Sequence, residues 1–305
     1  MVDNTKIAIT GANSAVGKAL LTQLAAENDL HAVAGVRRRE ALATLPKSPR
    51  ITPAVISYED PDSLGASLTD MDCVVHLAGI LFESKSTTYQ SANVDTTQAL
   101  TEAAVAAGAN HIVFISSLGA DPSSPNGYFR SKGEAERVVA DSGLAATVIR
   151  TPLLLGPDTA GGRALVRTAS QPSVKVLGGG AHVLRPLDID DLCRAILGCC
   201  RRPATGATVH DLVGPTPLTY RELLEQTATL LGHDLSVGAT PVWLAKLGAA
   251  LAGLFRTGGM TSAVIDVITS AEAVDRNADG DLGISLTPLP DTLAKLVPGE
   301  GDTTT

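Results

Sequence analysis

Residues 10–20 read TGANSAVGKAL and directly follow the run Lys6-Ile7-Ala8-Ile9. The chain is expected to leave a strand here, bend sharply and enter a helix. A turn of this kind that holds a dinucleotide's pyrophosphate normally carries three glycines. The first permits the tight bend, the second lets the backbone approach the anion, and the third lets the helix pack closely on the strand. Gly11 and Gly17 fill the outer places, and Ser14 stands where the middle glycine is expected. Serine is small, and its hydroxyl can donate to a phosphate oxygen. The helix beginning near Ala15 would aim its free N–H groups at the anion. Taken alone, the loop reads either as a phosphate cradle or as a strand–helix corner without a ligand.

Outward from this turn, short β-branched runs alternate with Ala- and Leu-rich stretches. The pattern predicts strands at 6–10, 31–36, 51–56, 73–77, 111–116 and 145–150, with helices at 15–27, 91–107 and 128–142. Strands separated by helices imply βαβ units and a doubly wound, mostly parallel α/β sheet. The run Cys73-Val74-Val75-His76-Leu77-Ala78 has the continuous apolar character of a strand covered on both faces. Past Pro152, Gly161-Gly162 and Gly178-Gly179-Gly180 mark loops. A helix at 189–200, a strand at 207–213 and a helix at 219–231 follow, and the last third is mainly helical.

The composition narrows the function classes. The 305-residue chain is 44% hydrophobic and 18% charged, with a net charge of −8. That balance supports a packed core and argues against a basic face for nucleic acid or anionic membrane. Met1 to Thr5 runs straight into a strand, without the pattern of a signal peptide. The most apolar long stretch, Val242 to Phe255, contains Lys246 and is too short to cross a bilayer comfortably. A cytoplasmic location, a small-molecule partner and a monomeric or homodimeric state are the expectations. The four cysteines, Cys73, Cys193, Cys199 and Cys200, lack metal spacing and read as reduced core residues, and no metal site is expected.

The second strand ends in Gly35-Val36-Arg37-Arg38-Arg39, where an NAD site usually places an acid for the ribose 2′-hydroxyl. A guanidinium there binds a 2′-phosphate instead, so NADP(H) is expected over NAD(H), with Arg37 the best placed arginine. The alternative is a solvated helix start. Residues 111–136 read HIVFISSLGADPSSPNGYFRSKGEAE. Tyr128 and Lys132 lie four apart and share a helix face. A tyrosine with its pKa near ~10 is a poor base at neutral pH, and a nearby ammonium is expected to pull that value down. Ser117, at the C-terminal end of its strand, sits where open α/β sheets place their sites.

These segments resemble the short-chain dehydrogenase/reductase (SDR) superfamily, extended or atypical type. The resemblance is nearest to the epimerase/dehydratase-like proteins related to an accessory subunit of respiratory complex I. It is carried by TGANSAVGKAL, DCVVHLAGI (72–80), NVDTTQALTEAAVAAGANHIVFISSLGA (93–120), YFRSKGEAE (128–136) and VIRTPLLLGP (148–157). LRPLDIDDLCRAI (184–196) and LTYRELLE (218–225) continue the match. The resemblance implies a Rossmann core over 1–155, rejoined by 181–213, and a small, mainly helical substrate lobe from 156–180 and 214–298. Residues 299–305 are expected to form a disordered tail. By the same resemblance, Gly11, Ser14 and Gly17 surround the cofactor's pyrophosphate, and Asn13, Ala15 and Val16 of the same turn are cofactor-binding. Ala78 and Gly79 line the adenosine and ribose path, Thr151, Pro152 and Leu153 flank the nicotinamide, and Ser116 is cofactor-binding. Ser117 orients the substrate, Tyr128 is the general acid or base, and Lys132 serves both tyrosine and ribose. The implied activity is NADP(H)-dependent hydride transfer with a small, apolar carbonyl or alcohol. Epimerase or dehydratase chemistry and a non-catalytic NADPH-binding sensor or assembly subunit are the alternatives.

Three positions depart from the family pattern. Ser14 replaces a glycine, Ser57 replaces an aspartate that contacts adenine, and Asp188 replaces a histidine of the substrate lobe. The ten residues between Ser117 and Tyr128 form a shorter connection than most active relatives have, which is expected to leave the pocket more open. Asn93 reads as either a helix cap or a site residue, and His76 as a buried structural one. Cys199-Cys200 is expected to be packing. Arg163, Arg167 and Lys175 read as contacts for an anionic substrate or as solvated loop residues. Leu81-Phe82, Leu118 and Leu153-Leu154-Leu155 are expected as apolar pocket walls.

Overall fold

The computed structural model describes residues 5–253 and 261–297. Seven parallel strands form the central sheet: β1 (Thr5–Thr10), β2 (Leu30–Val36), β3 (Ile51–Val55), β4 (Cys73–His76), β5 (His111–Ser117), β6 (Ala145–Thr151) and β11 (Ala207–Asp211). Their order is β11-β6-β5-β4-β1-β2-β3, so the chain reverses direction across the sheet between β1 and β4. This is the doubly wound Rossmann arrangement, with the switch point beside β1. Ile7 pairs with Ala32 on one side and with Cys73 on the other.

Successive side chains of β1 go to opposite faces and serve two cores. Ile7 and Ile9 pack with α1 (Ala15–Ala26) and α6 (Ile189–Arg201), while Ala8 packs with α2 (Pro61–Leu68), α3 (Thr96–Ala106) and α4 (Gly127–Ala140). On α1, Leu20, Leu21 and Leu24 are fully buried, each stabilising the fold by roughly 1.5–3 kcal/mol. A third core gathers side chains from α5 (Ala160–Ala169), α7 (Tyr220–Leu230) and α11 (Leu289–Ala294). Three short strand pairs border it: β7 (Leu154–Leu155) with β10 (Leu187–Asp188), β9 (Val183–Leu184) with β12 (Leu218–Thr219), and β8 (Ser173–Leu177) with β13 (Ser236–Thr240). The remaining helices are α8 (Val242–Gly253), α9 (Ser262–Thr269) and α10 (Asp279–Leu282).

Several expectations are corrected. Gly161 and Gly162 do not mark a loop but lie in the first turn of α5, where Thr159 accepts the Gly162 N–H at 2.9 Å. A Cβ on Gly162 would come within 2.3 Å of the Gly156 carbonyl, so the helix needs glycine for packing. The helix expected over 91–107 opens as a π-helical turn, Gln90–Asp95, before α3 begins. Asn93 therefore caps nothing. Between β3 and β4 the chain also forms α2, a helix outside the expected set, which Asp60 caps ahead of Pro61. All four cysteines are free and buried, and no group of metal-binding side chains occurs among the described residues. No described helix is long and apolar enough to cross a membrane. The expected tail 299–305 and the end of the apolar stretch, Leu254 and Phe255, lie outside the described residues.

Candidate active site

The bend after β1 is built as its glycines demand. Gly11 has φ +74°, and a Cβ there would stand 3.1 Å from the Ala78 nitrogen. A Cβ on Gly17 would stand 2.5 Å from the Ala12 carbonyl oxygen, so glycine lets α1 close on the turn. Ser14 differs. Its φ of −68° and ψ of 166° suit any L-residue, and its hydroxyl accepts the Gly17 N–H at 3.0 Å as the N-cap of α1. No glycine is required there, and the substitution adds a cap. Asn13 is exposed, and Ala15 and Val16 open the helix with N–H groups that no intrahelical carbonyl can take. Arg37 and Arg38 are exposed at the end of β2, and Arg39 begins a short 3-10 helix, Arg39–Thr44. The Ser57 hydroxyl accepts the Glu59 N–H just past β3.

A cavity of about 190 Å³ opens at the C-terminal ends of β4, β5 and β6. Its polar lining comes from Ser116, Tyr128, Lys132 and Thr151, with Ala78 and Gly79 forming part of the wall. Its apolar lining is Leu77, Ile80, Leu81 and Ile115. Of the two adjacent serines, Ser116 faces this space, is buried, and has a hydroxyl without a hydrogen-bond partner among the described residues. The Ser117 hydroxyl instead donates to the Leu118 carbonyl at 3.1 Å. Gly11, Ser14, Gly17 and Arg37 belong to the adjoining bend and the end of β2 and do not line the cavity.

Tyr128 is positioned by Asn126, whose Oδ1 accepts the Tyr128 N–H at 3.0 Å and whose Nδ2 donates to Ala263 at 2.9 Å. The Tyr89 ring packs edge-on to that of Tyr128 at 5.9 Å, and its hydroxyl donates to the Leu81 carbonyl at 2.9 Å. The short connection from Ser117 lies against α4, where a Cβ on Gly133 would meet the Pro122 nitrogen at 2.3 Å. Burial pushes the Tyr128 phenol above its ordinary pKa, and a hydrogen bond with Ser117 acts the other way. This corrects the expectation of a lowered value: desolvation outweighs the opposing contribution, and Lys132 is not among the groups that act on the phenol. The Lys132 ammonium has its own partners. It donates to the Ile115 carbonyl at 2.8 Å and lies 4.3 Å above the Phe114 ring centroid. Burial pushes Lys132 itself down to about 8, with Glu136 acting in the opposite direction.

Two neighbours are structural. His76 joins Thr10 at 2.8 Å and Thr97 at 3.1 Å, and burial pushes it down to about 3, so it stays neutral. Asn93 accepts the Ile80 N–H at 2.8 Å and donates to Ser131 at 2.9 Å, fastening the cavity wall to α4. Asp188 is buried, caps α6 and pairs with Lys295 at 2.9 Å, tying the end of α11 to β10 and the start of α6. Leu154 packs on the first core and Leu155 lies inside the third, so neither forms a cavity wall, and Phe82 is half exposed. Arg163 turns back to the Asp158 carbonyl. Arg167 and Lys175 lie on α5 and β8, away from the cavity lining.

Similarity to known proteins agrees with this architecture. Ceramide reductase of Caulobacter vibrioides is 26% identical over 227 residues, 74% of this chain and 70% of that protein. A mitochondrial NADH dehydrogenase [ubiquinone] 1 alpha subcomplex subunit 9 of Arabidopsis thaliana is 25% identical over 182 residues, 58% of this chain but only 44% of that protein. Among solved structures, MoeE5 with UDP-glucose and NAD superposes with a TM-score of 0.75 at 23% identity, over 95% of this chain and 97% of the other. Triphenylmethane reductase of Citrobacter sp., complexed with NADP(H), gives 0.74 at 19% identity, over 95% and 100%. At these identities the structural likeness shows the shared fold alone. The NAD(P)H-binding family model matches residues 11–177, more than half of the chain. The chain belongs to the NAD(P)H-binding family.

Proposed function

We propose that this protein is an NADP(H)-dependent oxidoreductase acting on a small, apolar carbonyl or alcohol. The observation that carries the reading is the convergence of Ser116, Tyr128, Lys132 and Thr151 on one cavity at the strand ends. The residues present fit a nicotinamide dinucleotide. The Gly11 and Gly17 bend is tight enough to bring the open N-terminus of α1, with the N–H groups of Ala15 and Val16, beside the strand ends, and the buried Ser116 hydroxyl lacks a partner among the described residues. When bound, the cofactor would supply or accept a hydride at the substrate carbon. Tyr128 would hold the proton that moves to or from the substrate oxygen, and burial keeps its phenol in the donating form. Lys132 has three donors and spends one on Ile115, leaving two for ribose hydroxyls. Ser117 would orient the substrate oxygen only by turning its hydroxyl from the Leu118 carbonyl toward Tyr128. Arg37 would hold a 2′-phosphate. Segments 156–180 and 214–298 would form the substrate lobe, and Leu77, Ile80, Leu81 and Ile115 would suit an apolar substrate. The reductase name of the Caulobacter relative supports this chemistry.

A non-catalytic NADPH-binding module is the second reading, favoured by the similarity to complex I subunits. Screening carbonyl compounds with NADPH, followed by loss of nicotinamide absorbance, separates the two. Turnover that depends on Tyr128 supports the enzyme. NADPH binding with no turnover of any carbonyl class supports the module.

A further inference from the structure

Glu272 follows α9 in a part of the chain where the sequence carries no recognisable motif. Its Oε1 accepts the Leu153 N–H at 2.7 Å, across 119 residues of sequence, and its Oε2 accepts the Arg185 N–H at 2.8 Å. Its own N–H donates to the Val183 carbonyl at 3.0 Å. Burial pushes the carboxyl above its ordinary pKa, and the two backbone donors act against that. No ion pair compensates it among the described residues. Arg185 turns its guanidinium away, donating to the Gly214 carbonyl at 3.0 Å and the Pro215 carbonyl at 3.4 Å. A partly desolvated carboxylate without a cation is costly, yet only a carboxylate offers two acceptor oxygens to two converging N–H groups.

What those bonds hold is the cavity's edge. Thr151 lines the cavity, Pro152 follows with a fixed φ, and Leu153 is the next residue. The Leu153 carbonyl is held from the other side by the Leu187 N–H at 2.9 Å. The segment Thr151-Pro152-Leu153 is thus short, stiff and fastened at its far end by Glu272. We infer that Glu272 is a positioning residue, clamping Leu153 and Arg185 so that the 151–153 segment forms a fixed wall for the nicotinamide end of the cofactor. The inference rests on the cofactor reading above.

The test uses the full chain and two ligands that differ only by the nicotinamide: NADPH and 2′-phospho-ADP-ribose. Glu272→Gln keeps the shape but replaces one acceptor oxygen with a donor. It should weaken NADPH by about tenfold, the scale of one charge-assisted hydrogen bond. Affinity for 2′-phospho-ADP-ribose should stay within about twofold, because that ligand does not reach the 151–153 wall. Should Glu272→Gln fail to fold, Glu272→Asp carries the same comparison, keeping the charge while withdrawing the carboxylate by one methylene. Equal losses for both ligands, or an unchanged NADPH affinity, would overturn the inference while leaving the cofactor site intact. A parent protein that binds neither NADPH nor NADH would overturn the cofactor reading itself.

Discussion

The Ser14 hydroxyl accepts the Gly17 N–H at 3.0 Å, so the residue standing in place of a glycine caps the helix that another glycine lets approach the strand. The two positions carry different constraints. Gly17 is required by packing, whereas Ser14 occupies a conformation open to any residue. Ser14→Ala should therefore cost about 1 kcal/mol of stability, the usual loss for an N-cap, and Ser14→Gly only a few tenths. Neither should change NADPH affinity much, because both leave the loop backbone clear. Ser14→Leu should abolish binding by filling the anion's place. Thermal unfolding and NADPH titration of the three variants check this, and strong NADPH binding by the leucine variant would place the nucleotide elsewhere.

Gly17→Ala puts a methyl carbon 2.5 Å from the Ala12 oxygen, which is backbone and cannot swing aside. Forced overpacking of this kind costs typically ~1–3 kcal/mol. The melting temperature should fall by several degrees, and cofactor affinity should drop as α1 is pushed off the bend. A melting temperature equal to the parent's would show that the turn relaxes freely.

Cofactor preference is read from Arg37, exposed at the end of β2 without an acid beside it. NADPH should bind more tightly than NADH by ~1–3 kcal/mol, the scale of hydrogen bonds to a charged group. Arg37→Ala should erase most of that difference while leaving NADH affinity nearly unchanged. Equal affinities in the parent protein would remove Arg37 from the site.

Tyr128→Phe removes a phenolic hydroxyl and nothing else. NADPH binding should persist while turnover of an identified substrate falls by roughly 100- to 10,000-fold, the usual contribution of a general acid or base. Lys132→Met should impair both. Paired titrations of affinity and rate distinguish the patterns, and undiminished turnover by the phenylalanine variant would end the proposed mechanism with the fold unaffected.

Lys132 also links stability to pH. Burial lowers its folded-state pKa from 10.5 to about 8, so the unfolded chain binds more protons between those values. Stability must then rise with pH across that window, and the cost of the buried charge is fully present below about pH 8. A shift of this size corresponds to on the order of 3 kcal/mol. Relative to Lys132→Met, the ligand-free parent should gain stability from pH 8 to 10.5. Parallel denaturation curves at pH 7 and pH 10 would contradict it.

The local pattern of this sequence determined the fold class and the whereabouts of the site. Ile7 and Ile9 alternate with Ala8, the run from Cys73 to His76 is apolar throughout, and helical stretches separate the strands. Those periodicities dictate parallel strands covered on both faces, and the Gly11–Gly17 spacing dictates a tight strand–helix bend. The Tyr128–Lys132 spacing is equally local, since one helix turn places both side chains on one face. What lies between distant segments was decided only by tertiary packing. Which of two adjacent serines faces the cavity depends on where Leu118, Tyr128 and Thr151 converge, as does the direction of the Tyr128 shift, which comes from burial. Asn93 looks like a cap in sequence because the π-helical turn that points it at Ile80 has no local signature. Glu272 was invisible for the same reason. Its partners are backbone N–H groups 119 and 87 residues away, and a backbone donor has no residue type for a sequence to display.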